Sequence, residues 1–98
     1  MFVRFHIDPM EQHQYEYRVT YEGEELFGDA GLDSLEECIV AAVEGLGQDA
    51  LAAELAYKGV ISGTYPLTSL GWMTAQIAEH ARQTTQAIEE LSPPSGAL

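Results

Sequence analysis

The first third of the chain alternates between hydrophobic and polar positions with the period of two that is typical of β-strands. The alternation covers residues 1–7 and 14–22, and Pro9 separates the two segments because proline cannot donate a hydrogen bond within a sheet. The inward face would hold Val3, Phe5, Ile7, Tyr15, Tyr17, Val19 and Tyr21. The outward face would hold Phe2, Arg4, His6, Glu16, Arg18 and Glu22. We therefore predict two strands, each with one buried face.

A third strand is predicted directly after the second. Gly23 marks a turn, and Glu24–Phe27 has the composition of a short strand. Tyr21–Glu24 therefore has the pattern of a hairpin connection, although it lacks the Asn-Gly pair that most strongly indicates one. Residues 28–32 are predicted to form a loop.

A helix follows the loop, and its start is marked by capping residues. Asp33 or Ser34 can cap the first turn, and Glu36 or Glu37 can complete a capping box. Both glutamates also suit the positive end of the helix dipole. A single apolar stripe follows at helical spacing: Leu35, Cys38, Ile39, Ala42, Val43 and Leu46.

Residues 48–57 are ambiguous between helix and strand. Asp49 could cap a short helix over 50–56, which the alanines of that segment favour. Residues 57–65, in contrast, contain β-branched side chains together with Gly59 and Gly63, as an irregular strand would. We favour a strand over roughly 55–63, preceded by a loop or a helical turn.

A second helix is predicted at about 69–91, because Pro66 ends the preceding segment and Thr68 or Ser69 can cap a helix. Its apolar stripe would be Leu70, Met73, Ile77, Ala81, Thr84, Ile88 and Leu91. Residues 92–98 are rich in proline and small residues, and they are predicted to be a disordered tail. The element order βββαβα predicts one α+β domain over 1–91. It would be a two-layer sandwich, with an antiparallel sheet of three to four strands covered on one face by two helices.

The charge of the chain excludes several classes of partner. The net charge is −12, and the first half of the chain carries 12 of the 16 acidic residues. Nucleic acids and anionic membrane surfaces are bound through clustered Lys and Arg, and this chain has only four such residues, scattered along it. A single cysteine, Cys38, cannot form an internal disulfide, and no secretory signal is visible. These features predict a cytoplasmic protein that binds neither nucleic acid nor membrane directly.

The sequence offers no catalytic, cofactor or metal motif. The candidate zinc ligands His6, His13, His80 and Cys38 lack the paired spacing that zinc sites use. No nucleophile elbow or phosphate-binding loop occurs. We therefore predict a non-enzymatic protein without a cofactor.

Protein binding is the leading functional hypothesis. An acidic surface steers toward basic surfaces, as found on nucleic-acid-binding proteins, so the domain would inhibit or modulate such a partner. Trp72 falls off the apolar stripe of the second helix, and exposed tryptophans are enriched at binding hot spots. The residues predicted to contact the partner are Glu22, Glu24, Glu25, Asp29, Glu36, Glu37 and Trp72.

Two alternatives stay open. The first is a small-molecule-binding protein or minor enzyme whose pocket is lined by Tyr15, Tyr17, Tyr21 and Tyr57. The second is a homodimer that forms through the second helix or the outward sheet face. The helix has apolar residues at the seven-residue spacing of a coiled-coil seam.

Residues 28–46, an acidic stretch that ends the meander of strands in a capped amphipathic helix, resemble the strand-to-helix unit of HicB-type antitoxins. The resemblance covers about a fifth of the chain and rests on the capping box and the helical periodicity. It implies that an acidic inhibitor is one function such a unit can serve. The DNA-binding segment that these antitoxins usually carry has no counterpart here, because no basic or helix-turn-helix region is visible.

Overall fold

The computed structural model describes residues 1–91, in which five strands form one sheet in the order β3-β2-β1-β4-β5. The strands are β1 (Phe2–Pro9), β2 (Tyr15–Tyr21), β3 (Glu24–Leu32), β4 (Ala52–Tyr57) and β5 (Val60–Pro66). The helices are α1 (Leu35–Leu46), α2 (Leu67–Trp72) and α3 (Thr74–Leu91), with a 3-10 turn at Glu11–His13. The disordered tail predicted over 92–98 lies outside the described residues.

The central strand, β1, organises the hydrophobic core. It pairs with β2 on one side and with β4 on the other, and its alternating side chains Val3, Phe5 and Ile7 are buried against the helices. The inward face predicted for the first two strands is confirmed. Tyr17 and Val19 are buried, and Tyr15 and Tyr21 pack at the edge of the same core.

The predicted capping box of α1 is present at Ser34. The Ser34 hydroxyl accepts a hydrogen bond from the backbone N–H of Glu37 at 3.1 Å, and the Glu37 carboxylate accepts one from the N–H of Asp33 at 3.1 Å. The Ser34 bond satisfies a donor that the first helical turn would otherwise leave unpaired, and the Glu37 bond fixes the residue before the cap. The predicted apolar stripe is confirmed, with only Val43 partly exposed among its six members.

The fold is α+β as predicted, but the sheet has more strands than predicted and is mixed. Helix α1 carries the chain from β3, at one edge, back across the sheet to the far side of β1. Strand β4 therefore runs parallel to β1, whereas the other pairs are antiparallel. The loop predicted over 28–32 is wrong, because β3 continues to Leu32 with an irregularity in its pairing to β2.

The strand predicted over 55–63 is also wrong, because the segment is a hairpin of β4 and β5. Its turn is formed by Lys58 (φ 54°) and Gly59 (φ 79°). The predicted hairpin between β2 and β3 turns in the same way, at Glu22 (φ 52°) and Gly23 (φ 86°). Two consecutive positive φ angles are the mark of the type I′ turn, which suits the twist of paired strands. The pair Lys58-Gly59 was thus a turn signal of the same kind as Glu22-Gly23.

The single helix predicted over 69–91 is broken at Met73, where the backbone leaves helical geometry (φ −116°, ψ 34°). The Thr74 hydroxyl donates a hydrogen bond to the carbonyl of Leu70, which satisfies one acceptor at the end of α2. After the break, the buried stripe of α3 differs from the predicted one and consists of Ile77, Ala78, Ala81 and Thr85. Of the residues predicted to be buried, Met73, Ile88 and Leu91 are exposed.

None of the helices in the part of the chain that the structure describes combines the length and the apolar character needed to cross a membrane.

A close approach between α1 and β3 depends on Gly45. A Cβ atom at this position would lie 2.6 and 2.8 Å from two ring carbons of Phe27. The Phe27 ring is itself fixed by an edge-on contact with Tyr17, at 6.3 Å between ring centroids. Any side chain at position 45 must therefore displace this ring.

The variant G45A is expected to destabilise the domain by about 1–3 kcal/mol, because overpacking outweighs the higher helix propensity of alanine. The matched control is G71A, since a Cβ at Gly71 in α2 would meet no atom within 4 Å. That control is expected to be neutral or to gain up to about 1 kcal/mol. Urea unfolding of both variants measures this, and an equal effect of the two substitutions contradicts the packing described.

Candidate functional site

Four of the predicted contact residues lie along one edge of the sheet. Glu22, Glu24, Glu25 and Asp29, which we call the acidic edge, are all exposed on β3 and the turn before it. Strand β3 is an outermost strand with a partner on one side only. From Glu24 to Asp29 the row extends about 17 Å at the usual rise of a strand. The structure therefore brings these four residues together.

The carboxylates of the acidic edge lie on both sides of the strand. Glu25 is opposite Thr20, whereas Asp29 is opposite the buried Tyr17. Burial raises the pKa of Tyr17, and the negative charge of Asp29 raises it further. A partner that lies along β3 would therefore meet negative charge above and below its backbone.

Three of the four basic residues pair with acids outside the acidic edge, and the fourth, Arg18, makes no ion pair within residues 1–91. The ion pairs join Arg4 to Glu54, Lys58 to Glu89, and Arg82 to Glu36 and Glu79. None of them involves the acidic edge. Its negative charge is consequently not neutralised by this part of the chain.

The other two predicted glutamates have structural partners. Both guanidinium nitrogens at the end of Arg82 donate to the carboxylate of Glu36, at 2.6 and 3.2 Å, and this pair joins α3 to α1. The hydrogen bond from Arg82 lowers the pKa of the Glu36 carboxyl. Glu37 is engaged in the capping box with Ser34 and Asp33. Part of the acidic first half thus stabilises the fold itself.

Trp72 lies at the end of α2, apart from the acidic edge, and is 88% exposed. It lines a shallow groove of about 450 Å³ between α2 and the end of α1. The other lining residues are Val43, Gly47, Leu67, Thr68 and Gly71. None of the residues that line this groove belongs to α3, which begins at Thr74.

The sheet face opposite the helices, which we call the open face, holds a second groove, of about 420 Å³. Four of its side chains form a square on two adjacent strands: Arg4 and His6 of β1, and Arg18 and Thr20 of β2. Arg4 is opposite Thr20, and His6 is opposite Arg18. The sequence placed three of them on an outward face, but it did not reveal the square, which depends on the register of the pairing.

The surroundings of His6 favour its neutral form. The His6 Nε2 atom and the Thr20 hydroxyl are hydrogen-bonded at 2.9 Å. Burial lowers the pKa of His6, and the positive charges of Arg18 and Arg4 lower it further, although Asp8 and Glu54 act in the opposite direction. A neutral imidazole is therefore favoured beside the two guanidinium groups.

The candidate metal ligands are not brought together. Cys38 is buried in the core, where burial raises the pKa of its thiol to about 12, and His6 lies on the opposite side of the sheet. No group of three side chains suited to a metal ion occurs within residues 1–91. The tyrosines of the proposed pocket belong to the core or its edge, and neither groove is lined by any of them.

Comparison with known proteins gave no relative: no family model, no curated protein and no solved structure matches the chain.

The lowered pKa of His6 is expected to make folding stability depend on pH. The unfolded chain binds the His6 proton more tightly than the folded protein, so the free energy of unfolding falls as the pH drops below the ordinary value of 6.5. The loss levels off once the pH is below the folded pKa. In H6Q the slope of stability between about pH 7.5 and about pH 5.5 is expected to be smaller.

Urea unfolding at several pH values measures this slope. The window lies above the pKa of Glu36, so that carboxylate stays ionised throughout and does not contribute to the slope. A slope that is equal in H6Q and in the original chain contradicts the assignment to His6.

Proposed function

We propose that this chain is a non-enzymatic protein-binding domain whose acidic edge binds a basic segment of another protein. The observation that carries the proposal is the position of the unneutralised carboxylates. They lie on an outermost strand whose outer backbone groups have no strand partner within the described residues. An extended segment can add to such an edge through backbone hydrogen bonds, and its side chains then decide which segment is accepted.

Charge decides which segment is accepted at this edge. A strand with Lys or Arg on both of its faces would place cations beside Glu24 and Asp29 on one side of the sheet and beside Glu25 on the other. Two copies of the acidic edge would instead repel one another, so edge-to-edge pairing of this chain with itself is disfavoured. Proteins that bind nucleic acids carry basic segments of the required kind. If this domain bound such a segment, it would inhibit or modulate the binding of that segment to nucleic acid.

Edge charges also have a simpler use, because they prevent aggregation at sheet edges. Lysine is the residue most often employed for that purpose, whereas this edge carries only acids. An experiment must therefore distinguish a specific acidic surface from general repulsion by a chain of net charge −12.

The test compares two triple variants with equal net charge. E22Q/E24Q/E25Q removes three charges from the acidic edge, and the control E11Q/E44Q/D49N removes three exposed charges elsewhere. Glutamine keeps the size of the side chain, including at Glu22, whose positive φ belongs to the turn. Each protein is immobilised, and proteins of the source cell are bound at about 0.01 M salt and eluted at about 1 M, where the Debye length is about 3 Å.

The original chain and the control are expected to retain the same basic proteins. The edge variant is expected to lose them, with affinity about tenfold or more lower if each charge pair contributes about 0.5 kcal/mol or more. Titration of a retained protein against the three domains gives that ratio. Equal retention by all three, or binding that salt does not weaken, contradicts the proposal.

A further inference from the structure

The open-face groove contains two cationic and two anionic side chains: Arg4, Arg18, Glu22 and Glu54. Arg4 and Arg18 are two of only four basic residues in the chain, and both line the same groove on adjacent strands. Arg18 is exposed, and within residues 1–91 it makes no ion pair and no side-chain hydrogen bond. Its charge is therefore not neutralised by an ion pair in this part of the chain.

The two arginines differ in their surroundings. The Nε atom of Arg4 donates to the Glu54 carboxylate on the neighbouring strand, which neutralises its charge. Arg18 has the largely neutral His6 on one side. On the other side it has Gly28, which carries no side chain to cover it. A guanidinium group presents a planar fork of donors that matches a carboxylate. Arg18 is therefore the arginine of this groove whose fork is not engaged by an ion pair within residues 1–91.

The other end of the groove is apolar and is rimmed by an acid. Phe2 is 65% exposed there, next to Glu22 and Gly23 of the β2–β3 turn. Phe2 and His6 are four residues apart on β1, so the apolar end lies about 13 Å from the Arg18 end. Burial of the Phe2 ring by a ligand would remove apolar surface from water.

We propose that the open-face groove binds a small monocarboxylate with an apolar chain, its carboxylate paired with Arg18 and its chain extended toward Phe2. A phosphate dianion fits less well, because Glu22 and Glu54 both line the groove and would repel its second charge. A second copy of the chain fits less well too, since it would bring a net charge of −12 to the same rim. This inference does not depend on the proposed function of the acidic edge.

The test uses octanoate, whose extended chain is of the same order in length as the groove. Binding is followed by NMR chemical shifts of the backbone amides. A dissociation constant of about 1 mM is expected for a ligand of this size on an open groove. The largest shifts are expected at Phe2, Arg4, His6, Arg18 and Thr20. Octanamide, which is neutral, and inorganic phosphate, which lacks the chain, are each expected to bind at least about tenfold more weakly.

Two variants that each remove one positive charge test where the carboxylate of octanoate binds. R18Q is expected to weaken octanoate binding about tenfold or more, because the charge-assisted hydrogen bonds are lost. K58Q, which removes an exposed cation from the β4–β5 turn, is expected to bind octanoate as the original chain does. Both side chains are exposed, so both variants are expected to fold, and their amide spectra verify that.

Several results would overturn the proposal. They are equal binding of octanoate and octanamide, tighter binding of phosphate, equal affinity of R18Q and the original chain, and shifts confined to the α1–α2 groove around Trp72. Sedimentation at the concentration of the titration supplies a separate check. A doubled mass that R18Q or bound octanoate reverses would show that the open face is a contact between copies, and this would also overturn it.

Discussion

The pairing of β1 with strands on both sides is the constraint on which the rest of this structure depends. As the central strand it forms an antiparallel ladder with β2 and a parallel one with β4, so its backbone groups are satisfied along both edges. Its inward side chains are the middle of the core, and its outward side chains include Arg4 and His6. A shift of its register by one residue would exchange the two sets, which makes the register strongly specified.

The same constraint explains where charge can accumulate. All three helices pack on the inward side of β1 and its neighbours, so the outward side has no cover within residues 1–91 and can hold polar groups in water. Strand β3 lies two strands away from β1, at the edge, where carboxylates are solvated at little cost. The acidic edge and the open-face groove thus follow from strand order, and the acids at the start of α1 follow from helix capping.

The sequence predicted those parts of the fold that local patterns determine. Alternation gave the two faces of β1 and β2, and the capping box with its apolar stripe gave α1. Parts that depend on contacts between distant residues were missed: β4 is parallel to β1 because α1 crosses the sheet, and no local pattern records that crossing. The break at Met73 was hidden because the apolar spacing of 69–91 fits one continuous helix, although Gly71 was a local indication of it.

The same distinction between local patterns and distant contacts applies to the candidate site. The acidic edge was identified because its members are close in sequence. The pairing of Glu36 with Arg82 was not foreseen, because the two residues are 46 positions apart. The square of Arg4, His6, Arg18 and Thr20 could not be derived from spacing alone. It requires the pairing register, which places Arg4 opposite Thr20 and His6 opposite Arg18.

The measurement that tests this account most directly is hydrogen exchange of the backbone amides in the native protein. If β1 is the central strand, its amides and their partners in β2 and β4 should exchange slowest, through global unfolding. Those amides of β3 that lie away from β2, and those of β5 that lie away from β4, should exchange fastest among the strands, because they have no partner strand in the described fold. Fast exchange along β1, or protection along the outer side of β3, would contradict the account.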